Sequence, residues 1–239
     1  MDKRFSNGLA FGASYVYSKA LGESSGSQDG FPIQDPNNFK EGRGPLPFDQ
    51  RQKLNGNFVY ELPWMRNKKG FTGATLGGWQ LNGILAYRSG LPITITEAGS
   101  DLNTGGFTPT RPDRIANGTV ANPSRQLWFD PQAFQRVTCN IPGRLDLCHY
   151  GSSGVGIISG PTQKNADLSF FKNFKIREAL NLQVRLEAIN AFNTPYFGTP
   201  NGISFATNNS IKPDGSLMGQ IQTLATPMRT VQIGMKLQW

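Results

Sequence analysis

The final stretch of the chain, Pro227 to Trp239, alternates without interruption. Val231, Ile233, Met235, Leu237 and Trp239 fall on one face, and Thr230, Gln232, Gly234, Lys236 and Gln238 on the other. Successive side chains of a strand point to opposite faces, so the pattern predicts a strand with one apolar and one polar face. A strand lying on a soluble core alternates in this way. So does the closing strand of a transmembrane barrel, which ends on an aromatic at the membrane boundary.

The same pattern recurs upstream. It predicts strands over 9–19, 48–62, 76–96, 165–174 and 180–192, besides 227–239. In the first, Leu9, Phe11, Ala13, Tyr15 and Tyr17 oppose Ala10, Gly12, Ser14, Val16 and Ser18. In the second, Leu54, Gly56, Phe58, Tyr60 and Leu62 oppose Lys53, Asn55, Asn57, Val59 and Glu61. Trp79, Leu81, Gly83, Leu85 and Tyr87 share a face of the third, which LPITIT (91–96) extends past Gly90 and Pro92. In the fourth, Phe171 interrupts a polar face formed by Asp167 and Ser169. In the fifth, Leu180, Leu182, Val184, Leu186 and Ala188 oppose Asn181, Gln183, Arg185 and Glu187. Asn7-Gly8 is a tight-turn signal ahead of the first strand.

The connections alternate. Long loops are expected over 20–47, 97–163 and 193–219, and short ones near 63–73 and 176–179. A loop as long as 97–163 counts against a compact soluble domain. Short turns on one side and long loops on the other are expected of an outer-membrane barrel, and strands of about 10 to 15 residues suffice to cross a bilayer when tilted. Lys53, Arg88, Arg185 and Glu187 then become candidates for the lumen face, lining a substrate path or forming a polar wall.

Composition narrows the picture. The chain has 239 residues, 37% of them hydrophobic, with a mean hydropathy of −0.39. No run approaches the roughly 18 apolar residues of a spanning helix, whereas barrel strands are only half apolar. Glycine (28) and proline (16) are abundant, which favours an all-β chain with long loops. The net charge of +8 is scattered along the chain rather than gathered on a helix, which argues for solvated loops and a polar lumen rather than nucleic acid.

Cys139 and Cys148 flank CNIPGRLDLC, a loop suited to a disulfide in an oxidising compartment. A metal site would want more ligands, and His149 is the sole histidine. As an exposed loop residue it makes a poor catalytic base. Asp101, Asp113, Asp130 and Asp146 lack calcium-loop spacing, and no glycine-rich phosphate cradle is present. The expectation is a chain that is not an enzyme and has no cofactor. Trp128, Phe129 and Tyr150, in the longest loop, are candidates for stacking on a ligand or for packing the loop on itself.

Several segments resemble the C-terminal barrel of TonB-dependent receptors, in particular the large Oar-like type with a carboxypeptidase-regulatory-like N-terminal domain. They are FDQRQKLNGNFVYELP (48–63), GGWQLNGILAYRSGLPITIT (77–96), WFDPQAF (128–134), ADLSFFKNF (166–174) and LQVRLEAINAFNTPYFGTPN (182–201). The resemblance implies a wall segment of a barrel similar to the 22-stranded plugged transporters. It also implies energised uptake of a nutrient such as a carbohydrate or metal chelate, with TonB acting through a plug domain that this chain lacks. Val231, Ile233, Met235, Leu237 and Trp239 would carry a recognition signal for the barrel-assembly machinery, and outer-membrane lipid would cover the apolar face.

Six strands cannot close a barrel, and MDKRFSNG is no export signal. The expectation is therefore the last part of a longer receptor, from a truncated gene or an assembly fragment. The alternative is a secreted β-sandwich or adhesin-like module, in which the apolar faces would meet one another.

Overall fold

The computed structural model describes residues 2–6, 8–23, 33–35, 37–63, 70–97, 110–139, 142–143, 148–177, 180–200, 203–204, 218–225 and 228–239. Seven long strands form one sheet: β1 (Asp2–Ser6), β2 (Leu9–Tyr17), β3 (Gln52–Glu61), β4 (Trp79–Arg88), β5 (Gln163–Arg177), β6 (Leu180–Ile189) and β7 (Thr230–Gln238). Their spatial order equals their chain order, and every neighbour is antiparallel. The fold is an all-β, up-and-down wall, open rather than closed on itself.

Two periodicities coincide in this wall. Each strand alternates, and the register aligns the alternation across strands. Phe11, Phe58, Gly83, Leu168, Ala188 and Val231 form one row across β2 to β7. Leu9, Tyr60, Leu81, Phe170, Leu186 and Ile233 form the next. A slip of one residue would send a strand's whole apolar set to the other face. The Phe58 ring lies across Gly83, where an added Cβ would come within 2.3 Å of it.

Among the described residues no second layer covers the apolar face. Ile233 is 72% exposed and Met235 73%, values no core strand would show. A β-sandwich would have set a second sheet against these residues, and among the described residues there is none. A patch of this breadth requires a hydrophobic surround. Tyr15 and Tyr87 share a row with Leu54 near one end of the face, and Trp79 stands eight residues from Tyr87 near the other. That interval is about 27 Å along the strand and about 21 Å of depth at a tilt of ~40°, close to the ~25 Å apolar band of a barrel.

Several elements differ from the sequence expectation. β1 is a seventh strand, joined to β2 by a hairpin with Ser6 opposite Leu9. Gly8, at φ +80°, supplies the turn conformation, while Asn7 lies outside the described residues. The expected strand 76–96 ends at Arg88. Beyond it, Pro92–Ile93 pairs with Ile158–Ser159, and Thr96–Glu97 pairs in parallel with Ile203–Ser204. The break falls at Gly90, where a Cβ would meet the Gly160 carbonyl oxygen at 1.8 Å, and at Pro92, which has no amide hydrogen to donate to the sheet. The other strands also shift at their ends. Those expected over 9–19, 48–62, 180–192 and 227–239 are shorter, and the one over 165–174 runs on to Arg177. The connection after Pro63 holds a short helix, α1 (Gly70–Leu76), and Lys68 and Lys69 fall outside the described residues.

The connections after β2, β4 and β6 all leave the same end of the sheet, and their described residues fold together into a cap. Its core is Ile93, Ile95, Phe129, Ala133, Phe134, Ile158 and Met218, with Trp128 and Ile157 packed against it.

The two faces of β7 make a paired prediction. Ile233→Arg puts a charge on the apolar face near mid-depth and should lower stability in bilayers by about 2–4 kcal/mol. Gln232→Arg, one residue away and beside Glu187, should cost less than about 1 kcal/mol. Urea unfolding in lipid vesicles reads both, and equal effects would mean that the faces are not differently solvated.

Candidate functional site

Lys53, Arg88, Arg185 and Glu187 all stand on the polar face of the wall. Lys53 is directly opposite Arg88, which is opposite Gln163. Arg185 is opposite Phe171, and Glu187 opposite Ser169. The guanidinium of Arg185 lies 5.0 Å from the centre of the Phe171 ring, and its Nε donates to Gln183 Oε1. The apolar interruption that Phe171 makes in the pattern is thus a platform for a cation. Glu187 accepts a hydrogen bond from Gln232 Nε2 across to β7. Gln183 Nε2 in turn donates to Asn173 Oδ1 at 2.9 Å. Arg185 and Glu187 are tied into a polar lattice rather than to each other.

The opposite face carries two lysines that sequence reasoning missed, Lys164 in the row of Tyr87 near the loop end and Lys172. Lys172 occupies a row with Trp79 and Val184, yet it is 1% exposed. Its Nζ donates to the Gly77 carbonyl, just past α1, and lies 5.3 Å from the Trp79 ring centre and 4.9 Å from that of Phe174. The aliphatic stem covers apolar surface while the ammonium reaches a carbonyl and two ring faces. In sequence, Phe171-Lys172 reads as a slip in the alternation. Two residues exchanged against the pattern on adjacent positions, with aromatics at 79 and 174, were the available signal.

In the cap the aromatic candidates separate. Phe129 is fully buried and meets Phe134 edge-on at 6.0 Å, so it is a core residue and is not available to stack on a ligand. Trp128 is half-buried, and its indole nitrogen donates to the Ser159 carbonyl at 2.8 Å. Tyr150 packs against Val137 and Cys139. Cys139 and Cys148 are joined by a disulfide with Cα atoms 4.4 Å apart.

Polar side chains tie the three loops together. Arg111 is buried, its Nε donating to the Ser153 carbonyl at 2.7 Å and its Nη2 to the Glu41 carbonyl at 3.1 Å. Burial pulls the Arg111 pKa down, and the charge of Glu41 opposes that shift. Gln34 bridges the Gly151 carbonyl and the Arg111 amide, each at 2.9 Å. Asp130 caps the turn at Pro131–Ala133 by accepting from the Gln132 amide. Asp101 and Asp146 lie outside the described residues. Among the described residues, no group of three or more His, Cys, Asp or Glu is placed to hold a metal.

Where β6 ends, the sequence NAFN builds a tight turn. Asn190 and Asn193 adopt φ values of 52° and 50°, a conformation asparagine tolerates better than most residues. The Asn190 amide donates to Asp167 Oδ1 at 2.8 Å, and its side chain holds both backbone groups of Thr194. The Tyr196 carbonyl then accepts from Ala225. This turn delivers Thr194 and Tyr196 to the loop end of the wall, beside Arg88 and Gln163, around a cavity of about 240 Å³. Burial raises the Tyr196 pKa, and the nearby Arg88 charge works against that rise.

Asp113 bonds His149 Nε2 at 2.7 Å and accepts from the Ser152 amide at 2.9 Å. Burial alone would raise the Asp113 pKa, but the bonds from Ser152 and His149 outweigh it and hold the carboxyl below its ordinary 3.8. A depressed folded pKa gives stability that is present above the unfolded value of about 3.9 and lost as pH falls through the folded value. Amide-exchange protection of Ser152 should therefore be constant down to about pH 4 and fall below it. In Asp113→Asn it should be low throughout, and a wild-type profile in that variant would refute the linkage.

The chain matches the outer membrane beta barrel domain family over residues 1–232. No curated protein and no solved structure matches it. The match agrees with a meander whose apolar face is uncovered among the described residues and whose polar face carries most of the wall's charged side chains. The location is accordingly the outer membrane of a Gram-negative type bacterium. The chain belongs to the outer membrane beta barrel domain family, and its seven strands are barrel wall.

Proposed function

We propose that this wall and its cap belong to a TonB-dependent receptor of the Oar-like type, which takes up a scarce nutrient such as a carbohydrate or a metal chelate. The observation that carries the reading is the cap. The loops after β4 and β6 share a buried core, and buried Arg111 ties the loop after β2 to the loop after β4, so they form a preorganised surface rather than independent flaps. A receptor needs such a surface over its lumen, and a plain passive pore does not. The segments at 48–63, 77–96, 128–134, 166–174 and 182–201 add the family resemblance.

In this reading the cap captures the nutrient, and the polar face, with Lys53, Arg88, Arg185 and Glu187, lines its route. A plug domain, coupled to the inner-membrane TonB complex, opens the lumen. The wall completes a larger barrel of about 22 strands, the size implied by the resemblance. The strand from Val231 to Trp239 is what the assembly machinery recognises. No step requires catalysis by this chain.

The test is nutrient accumulation in the source bacterium with the receptor gene intact or deleted, in cells with and without functional TonB. Loss of high-affinity accumulation in both the receptor deletion and the TonB-deficient strain is expected. Accumulation that needs the receptor but survives loss of TonB would make it a passive pore.

A further inference from the structure

At the loop end of the lumen face, the geometry points to a binding site for a carboxylate-bearing saccharide, with Arg88 taking the carboxylate and Tyr196 supporting a sugar ring. The site lies in the 240 Å³ cavity whose lining includes Arg88, Gln163, Lys164, Asn165, Thr194 and Tyr196. A second cavity of about 70 Å³, lined in part by Leu91, Pro161 and Phe197, adjoins it through the shared Gln163 and Tyr196. Together they make a cleft that is cationic at one end and apolar at the other.

Three observations assign the ligand chemistry. First, Lys53 and Arg88 are register partners on the same face. Like charges set directly opposite are unfavourable unless something compensates them. Among the described residues neither has a carboxylate within ion-pair distance. The nearest wall acid along β5, Asp167, is already used by the Asn190 amide and Asn165 Nδ2. An arriving anion meets Arg88 and Lys164 in the lining, with Lys53 beside Arg88, and among the described residues no acid lines the cavity; a guanidinium binds a carboxylate through paired hydrogen bonds.

Second, the rest of the lining suits hydroxyl groups. Gln163 offers an amide donor and acceptor, Asn165 its carbonyl oxygen, and Thr194 a hydroxyl. Third, Tyr196 is half-buried and its carbonyl accepts from the Ala225 amide, which fixes the backbone that presents the ring to the cavity. A cavity below the ~300 Å³ of a typical ligand pocket holds one end of a ligand, here a charged terminal ring. The inference rests on the receptor reading for its biological use, though not for the binding itself.

The experiment uses the full receptor in detergent micelles, titrated calorimetrically with trigalacturonate, trimannuronate and neutral maltotriose. At least one uronate should bind, and at least about tenfold more tightly than maltotriose, with affinity falling as salt rises. Arg88→Ala and Tyr196→Ala should each weaken that binding by about tenfold or more. Tyr196→Phe should retain it, because the ring and not the hydroxyl is the platform. Arg177→Ala, which removes a charge at the far end of β5, should leave it unchanged. Retained heat-modifiable gel mobility shows that each variant is folded.

No uronate binding, equal binding of the neutral sugar, or an Arg88→Ala variant with wild-type affinity would each overturn the site. Uronate binding that depends on Arg88, without TonB-dependent accumulation in cells, would leave the site standing and overturn the receptor reading instead. TonB-dependent accumulation of another nutrient, with no uronate binding, would do the reverse.

Discussion

A strand in hydrocarbon has no water to satisfy its amides and carbonyls, so the sheet itself must satisfy them. Every other feature of this wall follows from that. Continuous antiparallel pairing from β1 to β7 fixes the register, and the register turns six separate alternations into shared rows. One face becomes apolar enough for lipid, and the other keeps the charges. Lys172 obeys the same rule on the lipid face, where it finds a backbone carbonyl and two aromatic rings instead of water.

Because lipid replaces a core on one side of the wall, the buried core of the described chain sits elsewhere. It lies in the cap, built from segments far apart in sequence such as Ile93, Phe129, Ile158 and Met218. Each loop alone would bury too little to offset its ordering entropy. Joined by Arg111 and Gln34, they make a surface fixed to one end of the wall, and the Cys139–Cys148 disulfide closes a short segment within the longest loop. The asparagine turn after β6 couples wall and cap, since Asp167 on the wall holds Asn190 and Asn190 holds Thr194.

The wall was legible in the sequence because its period of two is imposed residue by residue. The faces of Leu9–Tyr17, Leu180–Ile189 and Thr230–Gln238 are those that alternation assigns. What alternation misses is structure without a period. The strand end at Arg88 was hidden because LPITIT continues the apolar pattern, although its partners are in the cap. Phe129 looked available because an aromatic in a long loop carries no mark of burial, and its burial arises from Phe134 and Met218, the latter far along the chain. The cleft was half visible. Arg88 and Lys53 were placed on the lumen face by parity, but their direct opposition is a matter of register, and Tyr196 reaches them only through the turn at Asn190 and Asn193.

The central claim is that β7 has one face in lipid and one in water. Spin labels placed singly at positions 230 to 238, in bilayer-reconstituted protein, measure this through collision with oxygen and with a polar nickel chelate. Oxygen accessibility should peak at 231, 233, 235 and 237, and chelate accessibility at 230, 232, 234, 236 and 238, out of phase over the whole strand. In-phase profiles, or no period of two, would contradict the account.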